Sequence, residues 1–200
     1  MTNFNYDEVK YGFDREAVVN RMQKQMSDFR YTHCLRVEEV SRGLAAEYGA
    51  DVEKAGLAGL LHDYAKERSD QEFIDEIKSK HLDPDLLNYN NAIWHGIVGA
   101  EIIKDELNIA DEDVLNAIRR HTVGSTNMTQ VDKCVFVADF IEPQRDFPGI
   151  DEARKYAEKS LDSAVTYELK HSIEHLVDNN REIYPATFDS YNYWISKGEL

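Results

Sequence analysis

The chain is expected to be all-α, folded as a helical bundle. Apolar residues recur at helical spacing along nearly its whole length, and no stretch alternates convincingly with period two. The four prolines, Pro84, Pro143, Pro148 and Pro185, each fall where an apolar periodicity has already broken. No internal repeat or low-complexity tract interrupts the pattern.

Taken in order, a first helix is expected over roughly 6–27, with Val9, Phe13, Val18, Met22 and Met26 at helical spacing. A second covers about 31–48, with Cys34, Val37, Val40, Leu44 and Tyr48 on one side, and stops at Gly49. Asp51 can cap a short, strongly apolar third helix that ends near His62-Asp63. Ser69 with Glu72 forms a capping-box pattern that opens a fourth. A fifth spans about 91–106, and a sixth about 111–121 breaks at Thr122-Val-Gly124. A seventh covers about 129–141 and ends before Pro143, and 142–150 reads as a loop. One long helix over about 151–180 and a last over about 187–197 complete the chain.

The 200 residues suffice for one domain with a sizeable core. A formal net charge of −15 repels a nucleic-acid backbone, so no nucleic-acid partner is expected. The longest apolar stretches, such as Ala55–Leu61, are too short to span a bilayer, so no membrane partner is expected either. The N-terminal MTNFNYDEVKYGFDRE has acids in its first turns and does not read as a secretory signal, which leaves a cytoplasmic address as the expectation. Cys34 and Cys134 make no disulfide framework and no CxxC, and are read as small core residues.

Seven histidines are present, and the positions of four are informative. His33 lies inside the second helix, His62-Asp63 at the end of the third, His95 in the first turns of the fifth, and His121 at the close of the sixth. Any one of these alone is more often a solvated or satisfied core residue. Asp139 is harder to explain that way. It sits in the apolar run Val-Phe-Val-Ala-Asp-Phe-Ile of 135–141, and a carboxylate drawn into a core needs a partner, for which a cation is natural. Imidazole with carboxylate suits iron, manganese, cobalt or zinc, with positions left open for water and a phosphate oxygen. Arg30 lies three residues before His33, Lys66 three after Asp63, and Arg145 in the loop after Asp139, and all three can supply positive charge to phosphates. His171 and His175 share an i,i+4 spacing but project away from the stripe Val165, Leu169, Ile173, Leu176 and Val177, so a solvated face is expected for them. His81 reads as a loop or helix-end residue.

The ordered set His33, His62-Asp63 and Asp139 resembles the H…HD…D signature of the HD superfamily. The longer strings RYTHCLRV (30–37), GLLHDYAKE (59–67), HG (95–96), AIRRHTVG (117–124), FVADFIEPQRDFPGI (136–150) and REIYPAT (181–187) resemble the YqeK group of that superfamily, over about residues 13–190. These are bacterial symmetrical diadenosine tetraphosphatases that release two ADP. The resemblance implies an HD-domain bundle in which His33, His62, Asp63 and Asp139 hold a divalent transition metal of the iron type. It implies a dinucleoside polyphosphate substrate and an ADP product, with Asp63, Lys66, His95 and His121 taking part in catalysis. Arg30, His33, Asp63, Lys66, His95, His121 and Arg145 would meet the phosphates, and Ile183, Tyr184, Pro185 and Thr187 the nucleotide.

His95 and His121 either bind a second ion or contact phosphate. Phosphate contact is the expectation, because four ligands already serve one ion and the acidic chain is short of donor groups. The chain is taken as a single HD domain over 1–200, with an N-terminal helix in 1–28, the metal-binding core in 29–141, and 142–200 completing the nucleotide pocket. A homodimer is compatible with this reading. The alternatives are another HD-superfamily nucleotide phosphatase or phosphodiesterase, a di-iron oxygenase, and a nucleotide-binding HD module without turnover.

Overall fold

The structure is a computed structural model and describes residues 5–198. The expected domain limits at 1 and 200, and the first four residues of the N-terminal segment, lie outside them. The described residues form helices α1 Glu8–Tyr11, α2 Arg15–Gln23, α3 Asp28–Tyr48, α4 Val52–Leu61 and α5 Asp70–Ser79, then a 3₁₀ turn Pro84–Asn88. They continue with α6 Asn91–Leu107, α7 Glu112–Arg120, α8 Gln130–Ile141, α9 Ile150–Lys159, α10 Leu161–Asp178 and α11 Pro185–Ile195. No strand occurs among the described residues, so the all-α expectation holds.

Helix α4 is the centre. Every residue from Ala55 to Leu61 is buried, as an all-round apolar helix requires. It packs against α3, α7 and α8. Its approach to α3 is close because Gly56 and Gly59 face that helix. A Cβ on Gly59 would stand 2.5 Å from Ser41 Oγ and 3.1 Å from the Val37 carbonyl. Asp51 caps α4 as expected, accepting from the Glu53 and Lys54 amides, and Ser69 with Glu72 makes the expected capping box on α5. Cys34 and Cys134 are unpaired core residues, and burial pushes the Cys134 thiol up to about 12.

Several expected boundaries move. The first helix is split, because Gly12 closes α1 in the left-handed region (φ 75°) and Asp14 caps α2 through the Ala17 amide. Val9, counted in the apolar stripe, is 98% exposed, and Tyr6 and Tyr11 fill the core instead. Helix α3 begins earlier than expected because Ser27 caps it, which brings Arg30 inside the helix. The long helix expected over 151–180 is two helices. Ser160 breaks it in an extended conformation and caps α10 by accepting from the Ser163 amide at 3.0 Å. The stripe on α10 also fades, since Val165 and Leu169 are fully buried but Val177 is 57% exposed. Pro185 opens α11 two residues early, where its missing N–H costs nothing. The 3₁₀ turn was not foreseen. His81, with φ 53°, sits in the turn after α5 as expected. No helix among the described residues is long and apolar enough to cross a membrane.

Candidate active site

Five elements deliver one cluster. His33 comes from the second turn of α3, His62 caps the C-terminus of α4 with Asp63 next in the turn, and His95 lies in the first turns of α6. His121 caps the C-terminus of α7, and Asp139 stands near the end of α8. His33, His62, Asp63, His95 and His121 are at most 3% exposed, a burial that ionisable groups accept only with partners.

The imidazoles share a design. The Nδ1–H of His62 donates to the Gly59 carbonyl at 2.7 Å, that of His95 to Asn91 at 2.6 Å, and that of His121 to Ile118 at 2.7 Å. His33 Nδ1 lies 3.2 Å from Glu142 Oε1 and donates to it. This assignment, drawn from the network, turns every Nε2 lone pair inward. His33 Nε2 is 3.0 Å from Asp139 Oδ1, and His62 Nε2 is 3.8 Å from the same oxygen. Asp63 faces two ways. Its Oδ2 is 3.4 Å from His62 Nε2 and 3.9 Å from His33 Nε2, while its Oδ1 is 3.4 Å from His95 Nε2 and 3.9 Å from His121 Nε2.

A divalent metal fits this arrangement. The buried Nε2 atoms of His33 and His62 have no hydrogen-bond partner, and their lone pairs face carboxylate oxygens. Lone pairs converging on anions repel one another unless a cation lies between them. Two groups meet the requirement, His33 with His62 and Asp139, and His62 with Asp63 and His121, each with donor atoms within 4.8 Å of one another. The electrostatics agree. Burial alone would raise the Asp63 carboxyl, yet His62, His95 and Lys66 hold it well below the usual range. Burial would likewise raise Asp139, but His33, His62 and Arg145 keep it ionised. Burial disfavours charge on His62, and the Asp63 carboxylate outweighs it and raises the pKa. Burial pushes His121 down to about 4 with help from His62, and burial with Lys66 pushes His95 well below its ordinary value. Both rings are therefore neutral near pH 7.

The three basic residues foreseen as phosphate contacts all reach the cluster. Arg30 pairs with Asp63 Oδ2. Arg145 donates to Asp139 Oδ1 at 2.5 Å and to the Asp139 carbonyl at 2.8 Å. Lys66 Nζ lies over the His95 ring, 3.1 Å from Nε2, and burial lowers its pKa against the pull of Asp63. Beside this cluster opens a cavity of about 850 Å³, whose wall includes Thr122, Phe140, Arg145, Phe147, Tyr184 and Thr187. Of the segment expected at the nucleotide, Tyr184 and Thr187 reach the wall but Ile183 and Pro185 do not. Pro185 instead starts α11 and so fixes where Tyr184 stands, its ring edge-on to Tyr89 at 4.8 Å. His171 also departs from expectation. It is half-buried, 5.6 Å from the Phe140 ring and 5.3 Å from Phe147, because the loop after α8 folds back over α10. His175 is exposed, as expected, on the rim of the same cavity.

Sequence reasoning missed Glu142, Arg36 and Thr122. Glu142 is 2% exposed and accepts from Arg36 Nε at 2.7 Å as well as from His33. The Thr122 hydroxyl is 3.0 Å from Nε2 of both His95 and His121, which are themselves 3.0 Å apart. The available signal for Glu142 was an acid directly before Pro143 at the end of an apolar helix, and for Thr122 its adjacency to His121.

The fold and the His/Asp cluster define a class, and the chain belongs to the HD-domain family, whose profile matches residues 30–144. Divalent metal binding goes with that family and with the cluster. Within the family the chain is 39% identical over 183 residues to the symmetrical bis(5'-nucleosyl)-tetraphosphatase of Bacillus subtilis, covering 92% of this chain and 98% of the relative. The protein of that name from Staphylococcus aureus is 38% identical, with 86% of this chain and 90% of the relative covered. A crystal structure described as a predicted HD superfamily hydrolase involved in NAD metabolism, from Clostridium acetobutylicum, superposes with a TM-score of 0.87 at 34% identity, covering 92% of this chain and 98% of the other.

Proposed function

We propose that this chain is a symmetrical bis(5'-nucleosyl)-tetraphosphatase that splits diadenosine tetraphosphate into two ADP, with iron as its divalent metal. The observation that carries the reading is the match to relatives of that name over 90–92% of this chain, joined to a buried His/Asp cluster with inward-facing Nε2 atoms.

In this reading His33, His62, Asp63 and Asp139 hold one ion. The neutral rings of His95 and His121, with the second oxygen of Asp63, favour a second ion over direct phosphate contact. An Nε2 that carries a lone pair has no proton to give a phosphate oxygen. The chemistry such ions supply is Lewis acidity, which acidifies water and withdraws charge from phosphorus.

The chain's own residues do the rest. Arg30, Lys66 and Arg145 stand around the carboxylates and can turn donors toward the inner phosphates, which matters on a chain of net charge −15. The leaving group is ADP, already a stable anion, so charge neutralisation counts for more than proton donation. Residues 142–200 belong to the same functional unit as 29–141, since Arg145, Tyr184 and Thr187 line the cavity that opens beside Thr122. A cytoplasmic address and association as a homodimer complete the reading, the latter to be measured as mass in solution.

The test is product analysis by chromatography after turnover of diadenosine tetraphosphate by protein reconstituted in turn with iron, manganese and zinc. ADP as sole product, with iron the most active metal, is expected. Equal AMP and ATP would overturn symmetrical cleavage, and zinc exceeding iron would overturn the metal assignment.

A further inference from the structure

A symmetrically cut substrate must leave the reacting centre in two directions, each with one nucleoside diphosphate. The 850 Å³ cavity opens at the Thr122 end of the cluster, beside His95 and His121, and can take one half. At the other end, beside His33, lies a second and smaller cleft of about 240 Å³. Its wall includes Phe29, Arg30, His33, Arg36 and Arg145. The two openings share Arg145 and Phe147 as a common wall, so a chain of four phosphates can run from one to the other past the carboxylates.

The smaller cleft is the wrong size for a whole nucleotide but suits a diphosphate, and three arginines border it. Two are aimed at the centre, Arg30 on Asp63 and Arg145 on Asp139, while Arg36 pairs with Glu142 on the far side of His33, and Glu142 and Asp146 share the wall of the cleft. At its mouth Phe29, on the first turn of α3, is 72% exposed. The Arg30 guanidinium lies 5.9 Å from the centre of the Phe29 ring. A large apolar ring held in water next to a group of arginines that phosphates could engage is what a base needs for stacking once its phosphates are gripped.

We propose that the cleft between Phe29 and Arg145 is the subsite for the second nucleoside diphosphate half, with the Phe29 ring as the stacking platform for its base. The proposal rests on the tetraphosphatase reading above. It makes Phe29 the residue that distinguishes a dinucleoside polyphosphate from a mononucleoside one.

The test compares diadenosine tetraphosphate with adenosine 5'-tetraphosphate, which keeps four phosphates but has one nucleoside. Turnover of diadenosine tetraphosphate by the wild-type holoenzyme is established first, and its absence overturns the underlying reading itself. Given that turnover, Phe29→Ala is expected to raise KM for diadenosine tetraphosphate by about tenfold or more, the loss falling on KM rather than kcat. The inhibition constant of adenosine 5'-tetraphosphate stays at the wild-type value, because its single base occupies the larger cavity. Phe29→Trp restores the KM. An unchanged KM in Phe29→Ala, or an equal weakening of both compounds, overturns the subsite while leaving the tetraphosphatase reading intact.

Discussion

The His33 ring is held between Glu142, 3.2 Å from its Nδ1, and Asp139, 3.0 Å from its Nε2. Burial opposes charge on Glu142, but the Arg36 guanidinium and the Gln144 amide donate to it along with His33, and its pKa falls to about 2. Glu142 is thus a permanent anion that fixes the tautomer and tilt of the His33 ring, the support that a metal-ligating imidazole would need. Glu142→Gln should keep the packing and weaken metal affinity by roughly 10–100-fold, the usual effect of losing such a support. Competition with a chelator of known affinity measures this. Activity should return when metal is added in excess, and an unchanged affinity would mean that Glu142 serves Arg36 alone.

The close packing of α4 on α3 aims His62. Gly59 gives its carbonyl to His62 Nδ1 and lies against Ser41 and Val37 of α3. An added methyl must push α4 away from α3, because the Val37 contact is backbone and cannot rotate aside. Gly59→Ala should destabilise by about 1–3 kcal/mol through overpacking. It should also lower metal affinity, since the helix that moves carries His62-Asp63. Thermal unfolding with and without metal separates the two effects. A variant as stable as wild type would show that Ser41 yields without cost.

Asp139 and His62-Asp63 were legible as candidate metal ligands because each breaks a local rule. Asp139 interrupts an apolar run, and His62-Asp63 ends a helix that is otherwise wholly apolar. Their supports were not legible, because Glu142 meets its partners Arg36 and His33 only across 106 and 109 residues of chain. The break at Ser160 was hidden for a different reason. Neither glycine nor proline marks it, the apolar spacing runs through it, and only a serine acting as cap gives the turn away. The split at Gly12 carries both a C-terminal glycine and a capping aspartate, Asp14, and these terminus signals prevail over the apolar spacing that runs across them. His171 read as solvated because its helix stripe points elsewhere, and only the loop bearing Phe147 brings aromatic partners to it.

Glu168 should make the protein less stable as pH rises. It is 6% exposed on α10, and its Oε2 has no hydrogen-bond partner. Burial raises its pKa well above the usual carboxylate range, and Asp139 adds to this. In acid, both folded and unfolded chains carry the proton. Above the ordinary carboxyl pKa the unfolded chain releases it while the folded chain holds it, so this group's contribution falls with increasing pH until the folded pKa is reached. Glu168→Gln keeps the shape and removes the titration. Its melting temperature should match wild type near about pH 4 and exceed it near about pH 8, with each kcal/mol worth about 2–4 °C for a chain of this size. Parallel curves across that range would show that Glu168 is ionised in the folded protein.

His121 decides between one ion and two. Its Nδ1–H is committed to the Ile118 carbonyl at 2.7 Å, so Nε2 carries a lone pair. Burial and the neighbouring His62 lower its pKa to about 4, so no second proton is present near neutrality. A ring in that state can ligate a cation or accept from the Thr122 hydroxyl at 3.0 Å, but it cannot donate to a phosphate oxygen. Phosphate contact, the expectation from the four ligands already available to one ion and from the acidic chain, would require the opposite tautomer and the loss of the Ile118 bond in a buried site, a cost of about 1–3 kcal/mol. The Asp63 oxygen 3.9 Å from His121 Nε2 is also the one that faces His95, so the carboxylate has an oxygen for each group of ligands. His121→Ala should therefore leave the His33, His62 and Asp139 group occupied and reduce total bound metal to about half the wild-type content. Elemental analysis of reconstituted protein reads this directly. If His121 touches phosphate instead, the variant keeps its full metal content and loses about two to three orders of magnitude in turnover, as when a single hydrogen-bond donor to a developing oxyanion is removed. Full metal content with that loss of rate would sink the two-ion reading and restore phosphate contact.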